Sequence, residues 1–327
     1  MKEKSQFNLI GTEIVQCGEG LLFKGYDDPL GLDKFEVVAG MPLSYNDYYN
    51  IGRLLRTMTH IAATFDINRD CVPQIAIAAQ HGNVCGAGIE LHHHRNAIRK
   101  AIGDLGVLFG GLIMVNFPVE IEEAKLMLTF KSENKYRLLG GIIAPSFSTD
   151  AIKMLQRTEN GCRFIANQKL FDVNRASLDK SPIFQHVRGG FLLRSQYNHI
   201  LNLKDSSLEK YGEANKNDQD DLLLAKAICN TSDGDAVTLV SLGQLIGNGV
   251  EQQSPADSIK LAVEIAIKHY HSLSGAVVAT SSSFSVEEIV LPIEMGVKVI
   301  MSRKSPTGDD EVIELCQKAG VSLLISD

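Results

Sequence analysis

The run Gln74-Ile-Ala-Ile-Ala-Ala79 is apolar after its first residue, reaches His81 through Gln80, and is followed at once by Gly82, Gly86 and Gly88. It reads as a buried strand that delivers a histidine to a glycine-rich turn. Glycine lets backbone approach a ligand closely, so such a turn at a sheet edge is a good place for a reactive side chain. His81 is therefore the first candidate site residue. A hydrogen-bonded structural histidine after a strand is the competing reading.

From Pro73 onward, short apolar runs alternate with amphipathic stretches, the pattern of an α/β protein. Strands are expected at Gln74–Ala79, Gly111–Val115, Leu138–Ala144, Cys162–Ala166, Ala236–Val240, Ala276–Ala279, Val297–Met301 and Val321–Ile325. Helices fill most gaps between them. The best marked is Ser254–His271, with Ser254 as N-cap, Pro255 at the first helical position, and Ile259, Ala262, Val263 and Ala266 in one stripe.

The two halves look alike. His81 to Phe109 joins two strands through a glycine turn and a helix, Gly243 to Ser274 does the same, and each unit continues as helix, strand, helix, strand. The expectation is a pseudo-repeat of two α/β subdomains. Residues 1–170 hold an amino-terminal segment and the first subdomain, 171–221 a linker or small insertion, and 222–327 the second subdomain. In the amino-terminal segment, Phe35–Val38 reads as a strand and Ser44–Phe65 as a helix with Ile51, Leu54, Leu55, Met58 and Ile61 on one face, packed onto the first subdomain. Residues 171–221 are polar and lose periodicity except at Gly189–Leu193.

At 327 residues and 44% hydrophobic content there is ample material for a core. A formal charge of −7 argues against a nucleic-acid or anionic-membrane surface as the main partner and favours a small-molecule ligand. No apolar run is long enough to span a bilayer and Met1–Gln6 lacks the apolar core of a signal peptide, so a cytoplasmic location is expected. Cys17, Cys71, Cys85, Cys162, Cys229 and Cys316 contain no C-x-x-C pair, which suggests reduced thiols and no zinc site.

Three further motifs have a structural reading beside a functional one. Gly243 to Ser254 leads into the capped helix, whose amino terminus can hold an anion, or is simply a hairpin plus helix cap. His92, His93 and His94 are adjacent, so their side chains diverge and a solvated polar turn is favoured over a metal site. Asp309, Asp310 and Glu311 fall in a first helical turn, where acids suit the helix dipole.

Taken together, Leu43-Ser-Tyr-Asn46, Gln80-His-Gly-Asn-Val-Cys-Gly86, Phe109-Gly-Gly111, Ile142-Ile-Ala-Pro145, Gly189-Gly-Phe-Leu-Leu193, Gly243 to Ser254 and Gly308-Asp-Asp-Glu-Val-Ile313 occur in an informative order. The chain resembles the transformylase half of the bifunctional purine enzyme that formylates aminoimidazole carboxamide ribotide (AICAR) and cyclises the product to inosine monophosphate. The resemblance does not include the cyclohydrolase domain. It implies a cytidine-deaminase-like fold occurring twice without zinc, a homodimer with shared sites, and 10-formyltetrahydrofolate as co-substrate. Formyl transfer to a weakly nucleophilic amine needs a proton acceptor and stabilisation of a tetrahedral oxyanion.

In the family a lysine–histidine pair serves; here His81 keeps the histidine and Gln80 stands at the lysine position. The resemblance makes His81, Gln80 and Asp235 the catalytic candidates, Asp235 standing where the family has an asparagine. Gln16, Gly18, Asn83, Gly110, Gly111 and Gln252 are the substrate-binding candidates, and Ser282 and Phe284 the folate-binding ones. The family's arginine–tyrosine–glycine segment reads Gln16-Cys17-Gly18, an arginine of its second glycine segment is Pro255, and Phe284 is the one aromatic in Thr280–Ser285. The chain stops at Asp327, before the family's terminal arginine and histidine. Two readings follow: a formyltransferase with a diverged acceptor site, favoured by His81, and a non-catalytic binding or regulatory protein with the same fold, favoured by the missing lysine and arginines.

Overall fold

The structure, a computed structural model, describes residues 14–17, 20–23, 26–103, 110–131, 137–156 and 162–326. Among them the chain forms β1 (Ile14–Cys17), β2 (Gly20–Phe23), β3 (Glu36–Ala39), α1 (Tyr45–Arg69), β4 (Gln74–Gln80), β5 (Asn83–Glu90), α2 (His94–Ile102), β6 (Leu112–Val115), α3 (Ile121–Thr129), β7 (Gly141–Ala144), α4 (Thr149–Gln156) and β8 (Arg163–Ala166). It continues through the hairpin β9 (Ile183–Val187) and β10 (Gly190–Arg194) to β11 (Glu209–Tyr211), α5 (Lys216–Thr231), β12 (Asp235–Ser241), β13 (Gln244–Gln252), α6 (Pro255–Lys268), β14 (Val277–Thr280), α7 (Val286–Glu294), β15 (Val299–Arg303), α8 (Asp310–Ala319) and β16 (Ser322–Ser326).

Twelve strands make one mixed sheet in the order β11-β16-β15-β14-β12-β13-β5-β4-β6-β7-β8-β3. Read outward from the central β13–β5 pair, the two halves have the same order and polarity. The hairpin partners β4 and β12 pair antiparallel with β6 and β14, two parallel neighbours follow, and β3 and β11 close the edges antiparallel. All nine strands expected from the sequence, Phe35–Val38 among them, are present, within a few residues of the expected bounds.

Alternation along the strands explains the layers. In β4, Ile75, Ile77 and Ala79 face one cluster while Ala76 and Ala78 face another. In β14, Val277 and Ala279 share the first cluster while Val278 faces a third. The first cluster runs under both halves and includes Ile51, Leu54 and Met58 of α1 with Leu222, Leu223 and Ile228 of α5. The other face is covered separately, by α2–α4 over the first half and α6–α8 over the second. A sheet buried on both faces explains why its strands read as continuous apolar runs.

Two elements have a different place from the one the sequence suggests. β11 and the start of α5 lie within 171–221 and serve the second half as β3 and α1 serve the first. The glycine segments after His81 and Gly243 are also long strands, not extended turns. Their glycines answer a packing demand. A Cβ on Gly86 or Gly88 would lie 1.9 and 2.4 Å from the Ala101 and Ala97 carbonyl oxygens of α2. One on Gly247 or Gly249 would lie 2.2 and 1.9 Å from the Ala262 and Ser258 carbonyl oxygens of α6.

Gly249→Ala must therefore push α6 off its strand, and overpacking of this kind costs about 3 kcal/mol. Gly110→Ala, at φ +74 with nothing within 4 Å of the added carbon, meets only backbone strain and should cost about 1 kcal/mol. Urea unfolding midpoints of the two variants check this ordering.

Candidate functional site

Two residues bridge each central hairpin. His81 and Gly82 have φ of 54° and 82°, and Leu242 and Gly243 have φ of 53° and 71°. Both turns have positive φ at both central positions, the geometry that matches strand twist in two-residue hairpins. Because an exposed leucine takes the same backbone geometry as His81, the turn itself accounts for that conformation. What distinguishes His81 is its chemistry and its surroundings.

The His81 turn is held from both halves of the molecule. Arg53 Nε donates to the Gly82 carbonyl at 3.3 Å, and its two terminal nitrogens donate to Asp233 at 2.7 and 2.5 Å. Asn83 Nδ2 donates to Glu251 at 3.0 Å, and the Asp233 carbonyl accepts from the Glu251 N–H. Below them, buried Asn248 donates to the Val84 carbonyl at 3.1 Å and accepts from Thr238 Oγ1 at 2.8 Å. His81 itself is exposed.

Strand register brings most of the other candidates to this end of the sheet. Ala79 pairs with Leu112, which puts Gly110 and Gly111 beside the His81 turn. Asp235 pairs with Gln252, and Val237 with Thr280, so Ser282 follows just beyond the end of β14. Ser282 Oγ donates to the Asp235 carboxylate at 2.5 Å, and Ser258 Oγ donates to the Asp235 carbonyl. From Gly111 to Ser282 the row crosses β6-β4-β5-β13-β12-β14, about 24 Å at a strand spacing of about 4.8 Å. His81 and Asp235 share an edge and are not in contact distance by this spacing.

Phe284 is 2% exposed and packs in the third cluster, so its ring faces protein. It borders a cavity of about 920 Å³ that is also lined by Glu287, Glu288, Asp310 and Glu311. Gln16 lies in β1, paired with β2 apart from the main sheet, and Gly18 lies outside the described residues. Among the described residues no group of three or more His, Cys, Asp or Glu side chains is arranged to hold a metal ion. His94 instead opens α2 and contacts Glu123 of α3 at 2.9 Å. Burial pushes the Glu123 carboxyl up, but its hydrogen bonds with His94 and Arg95 outweigh this and leave it below the usual range.

Arg53 and Asp233 are the positions that the sequence does not single out. They lie far apart in the chain, and neither belongs to a motif. Arg53→Met and Asp233→Ala should each destabilise the protein by about 1–2 kcal/mol, the scale for a charge-assisted pair that is partly open to solvent. The double variant should cost little more than either single one. Additive effects in denaturant titrations would mean that the pair is not coupled.

The chain can now be set beside known proteins. The family model of the AICARFT/IMPCHase bienzyme matches residues 16–265. The bifunctional purine biosynthesis protein PurH of Aquifex aeolicus (strain VF5) is 26% identical over 310 residues, covering 94% of this chain and 56% of that protein. PurH of Persephonella marina (strain DSM 14350 / EX-H1) is 24% identical over 299 residues, 91% of this chain and 53% of its own length. PurH of Chlorobium phaeobacteroides (strain BS1) is 26% identical over 316 residues, with 93% and 55% covered. The chain spans about half the length of the curated relatives it matches. A solved structure from Thermotoga maritima, a diaminohydroxyphosphoribosylaminopyrimidine deaminase/5-amino-6-(5-phosphoribosylamino)uracil reductase, shares 20% identity over 28% of this chain and 29% of its own, with a TM-score of 0.24. With its family model matched over well more than half of its length, this chain belongs to the AICARFT/IMPCHase bienzyme family.

Proposed function

We infer that the chain is a formyltransferase of this family, cytoplasmic and acting in purine biosynthesis, that passes a formyl group from 10-formyltetrahydrofolate to an amine. Its acceptor site is diverged from one built for AICAR. The observation that carries this reading is His81: exposed, in a turn whose Gly82 carbonyl accepts from Arg53, itself paired with Asp233, and on the sheet edge that also carries Gly111, Gln252, Asp235 and Ser282. In this reading each half is a cytidine-deaminase-like unit, and no metal takes part.

The roles follow from the side chains. His81 accepts the proton of the attacking amine. The Gln80 amide donates a hydrogen bond toward the oxyanion, more weakly than the lysine of the family because it carries no charge. The Asp235 side chain offers two carboxylate oxygens as acceptors, so it orients an N–H of the acceptor substrate where an asparagine would offer both a donor and an acceptor. Gln16, Gly18, Asn83, Gly110, Gly111 and Gln252 are assigned to the acceptor substrate in this reading, and Ser282 and Phe284 to the folate.

One observation favours the second reading, a binding protein without catalysis. Among the described residues the cavity beside Phe284 is lined by four carboxylates and by no lysine or arginine, a poor environment for the anionic tail of a folate. Titration with 10-formyltetrahydrofolate and with AICAR separates the two. Binding of both supports the enzyme, and binding of neither supports the second reading.

If catalysis occurs, His81→Ala should lower the rate by about 10²-fold or more, the scale of a positioned acid or base. Gln80→Lys should raise residual AICAR formylation by placing charge at the oxyanion. No formylated product with any amine tested, together with unchanged ligand binding in His81→Ala, would remove the catalytic assignment.

A homodimer is part of the same reading, and the β9–β10 hairpin is the surface suited to it. Phe191, Leu192 and Leu193 are 70%, 59% and 55% exposed, with Phe184 beside them at 44%. Adjacent exposed apolar side chains mark association surfaces. Light scattering should give twice the chain mass for the native protein and a shift toward monomer for Phe191→Asp combined with Leu193→Asp. A native monomer contradicts the dimer.

A further inference from the structure

Lys226 is 1% exposed and lies in α5, within the otherwise apolar run Leu222–Cys229 that packs under the sheet. Taking an amine out of water is costly unless a partner compensates it, and burial pushes the Lys226 pKa below the usual lysine range. None of the roles assigned above uses this side chain. A leucine or methionine would fill the same space without that cost, so the amine calls for a reason.

Its partner supplies one. Lys226 Nζ donates to the Thr280 carbonyl at 2.9 Å. The Ser281 N–H of the same peptide unit bonds to the Ala236 carbonyl of β12 at 3.0 Å, so across the trans peptide the Thr280 carbonyl points the other way, toward β15. There the β14–β15 register ends at Ala279–Met301, and the Arg303 N–H bonds to the Ser282 carbonyl at 3.1 Å. Thr280 is 1% exposed, and a buried carbonyl beyond the end of a ladder needs a donor from elsewhere. One turn further along the same face of α5, Cys229 Sγ donates to the Ala236 carbonyl at 3.3 Å. α5 thus grips β12 and β14 at the residues next to Asp235 and Ser282, whose side chains are hydrogen-bonded to each other.

We propose that Lys226 is a positioning residue: by holding the Thr280 carbonyl from below the sheet, it sets the corner Thr280–Ser282 and with it the Ser282–Asp235 contact at the candidate site. The chemistry that this corner serves rests on the formyl-transfer reading, whereas the hold on the corner does not. Ser282 depends on the corner twice over, through its N–H bond to Thr280 Oγ1 at 3.1 Å and through its carbonyl to Arg303. Beyond it, the buried Phe284 N–H bonds to Ser302 Oγ at 3.1 Å, so a shift at Thr280 is carried along the segment.

Amide hydrogen exchange in the full chain tests this. In Lys226→Met, which keeps the length of the side chain and loses the donor, the Ser281 and Phe284 amides should exchange at least about 10-fold faster than in wild type. Those of Ile77 and Ala78 in β4 should be no faster. Lys226→Gln retains an N–H donor and should bring the corner back toward the wild-type rates. In a wild type that transfers formyl, Lys226→Met should also lower the rate by about 10-fold, the scale of a small misplacement at a reacting site. Should Lys226→Met fail to fold, Lys226→Leu, equally without a donor, takes its place. Unchanged exchange at the corner, equal acceleration in β4, unchanged formyl transfer despite a loosened corner, or failure of both variants to fold would each overturn the proposal. A wild type that formylates no amine removes the formyl-transfer reading instead, and exchange at the corner alone then decides the role of Lys226.

Discussion

Close contact between helix backbone and strand backbone at the centre of the sheet is the constraint from which the rest of this structure follows. α2 lies on β5 through Gly86 and Gly88, and α6 lies on β13 through Gly247 and Gly249. Any side chain there would meet a helix carbonyl well inside van der Waals distance. These are also the two strands that join the halves, through the Gln244–Gly88 pair and the Ile89 N–H bond to the Gly243 carbonyl. The helices can thus cover the outer faces of both central hairpins without parting the strands between them.

Joining the halves at this seam also assembles the candidate site. β5 and β13 run antiparallel, so the start of one lies beside the end of the other, and the His81 turn is linked through Arg53 to Asp233 and through Asn83 to Glu251. Arg53 comes from α1 of the first half and Asp233 from the segment leading into β12 of the second. The shared core under α1 and α5, with Thr57 and Thr231 hydrogen-bonded at 2.9 Å, fixes the distance that this pair spans. His81 is thus positioned by both halves, although its own strand belongs to one.

The sequence makes the fold legible wherever burial alone sets the residue choice. The runs at Gln74–Ala79, Ala236–Val240 and Val297–Met301 are largely apolar because both faces of the sheet are covered, and strands lie there at Gln74–Gln80, Asp235–Ser241 and Val299–Arg303. It misleads where glycine has two physical uses. Gly86, Gly88, Gly247 and Gly249 resemble turn residues, but they are strand residues under a helix, and only the facing carbonyls reveal it. β11 escapes notice because a strand of three residues, Glu209–Tyr211, carries no readable alternation. At the site, His81, Asp235 and Ser282 stand out by motif or by family resemblance. Arg53 and Asp233 do not, since they lie 180 residues apart in the chain.

If the seam makes one cooperative body of the two halves, their folding cannot be separated. Scanning calorimetry of the intact chain measures this directly. The account predicts a single endotherm whose calorimetric and van't Hoff enthalpies agree, with a ratio of about 1. Two resolved transitions, or a calorimetric enthalpy well above the van't Hoff value, would mean that the halves fold independently and would contradict it.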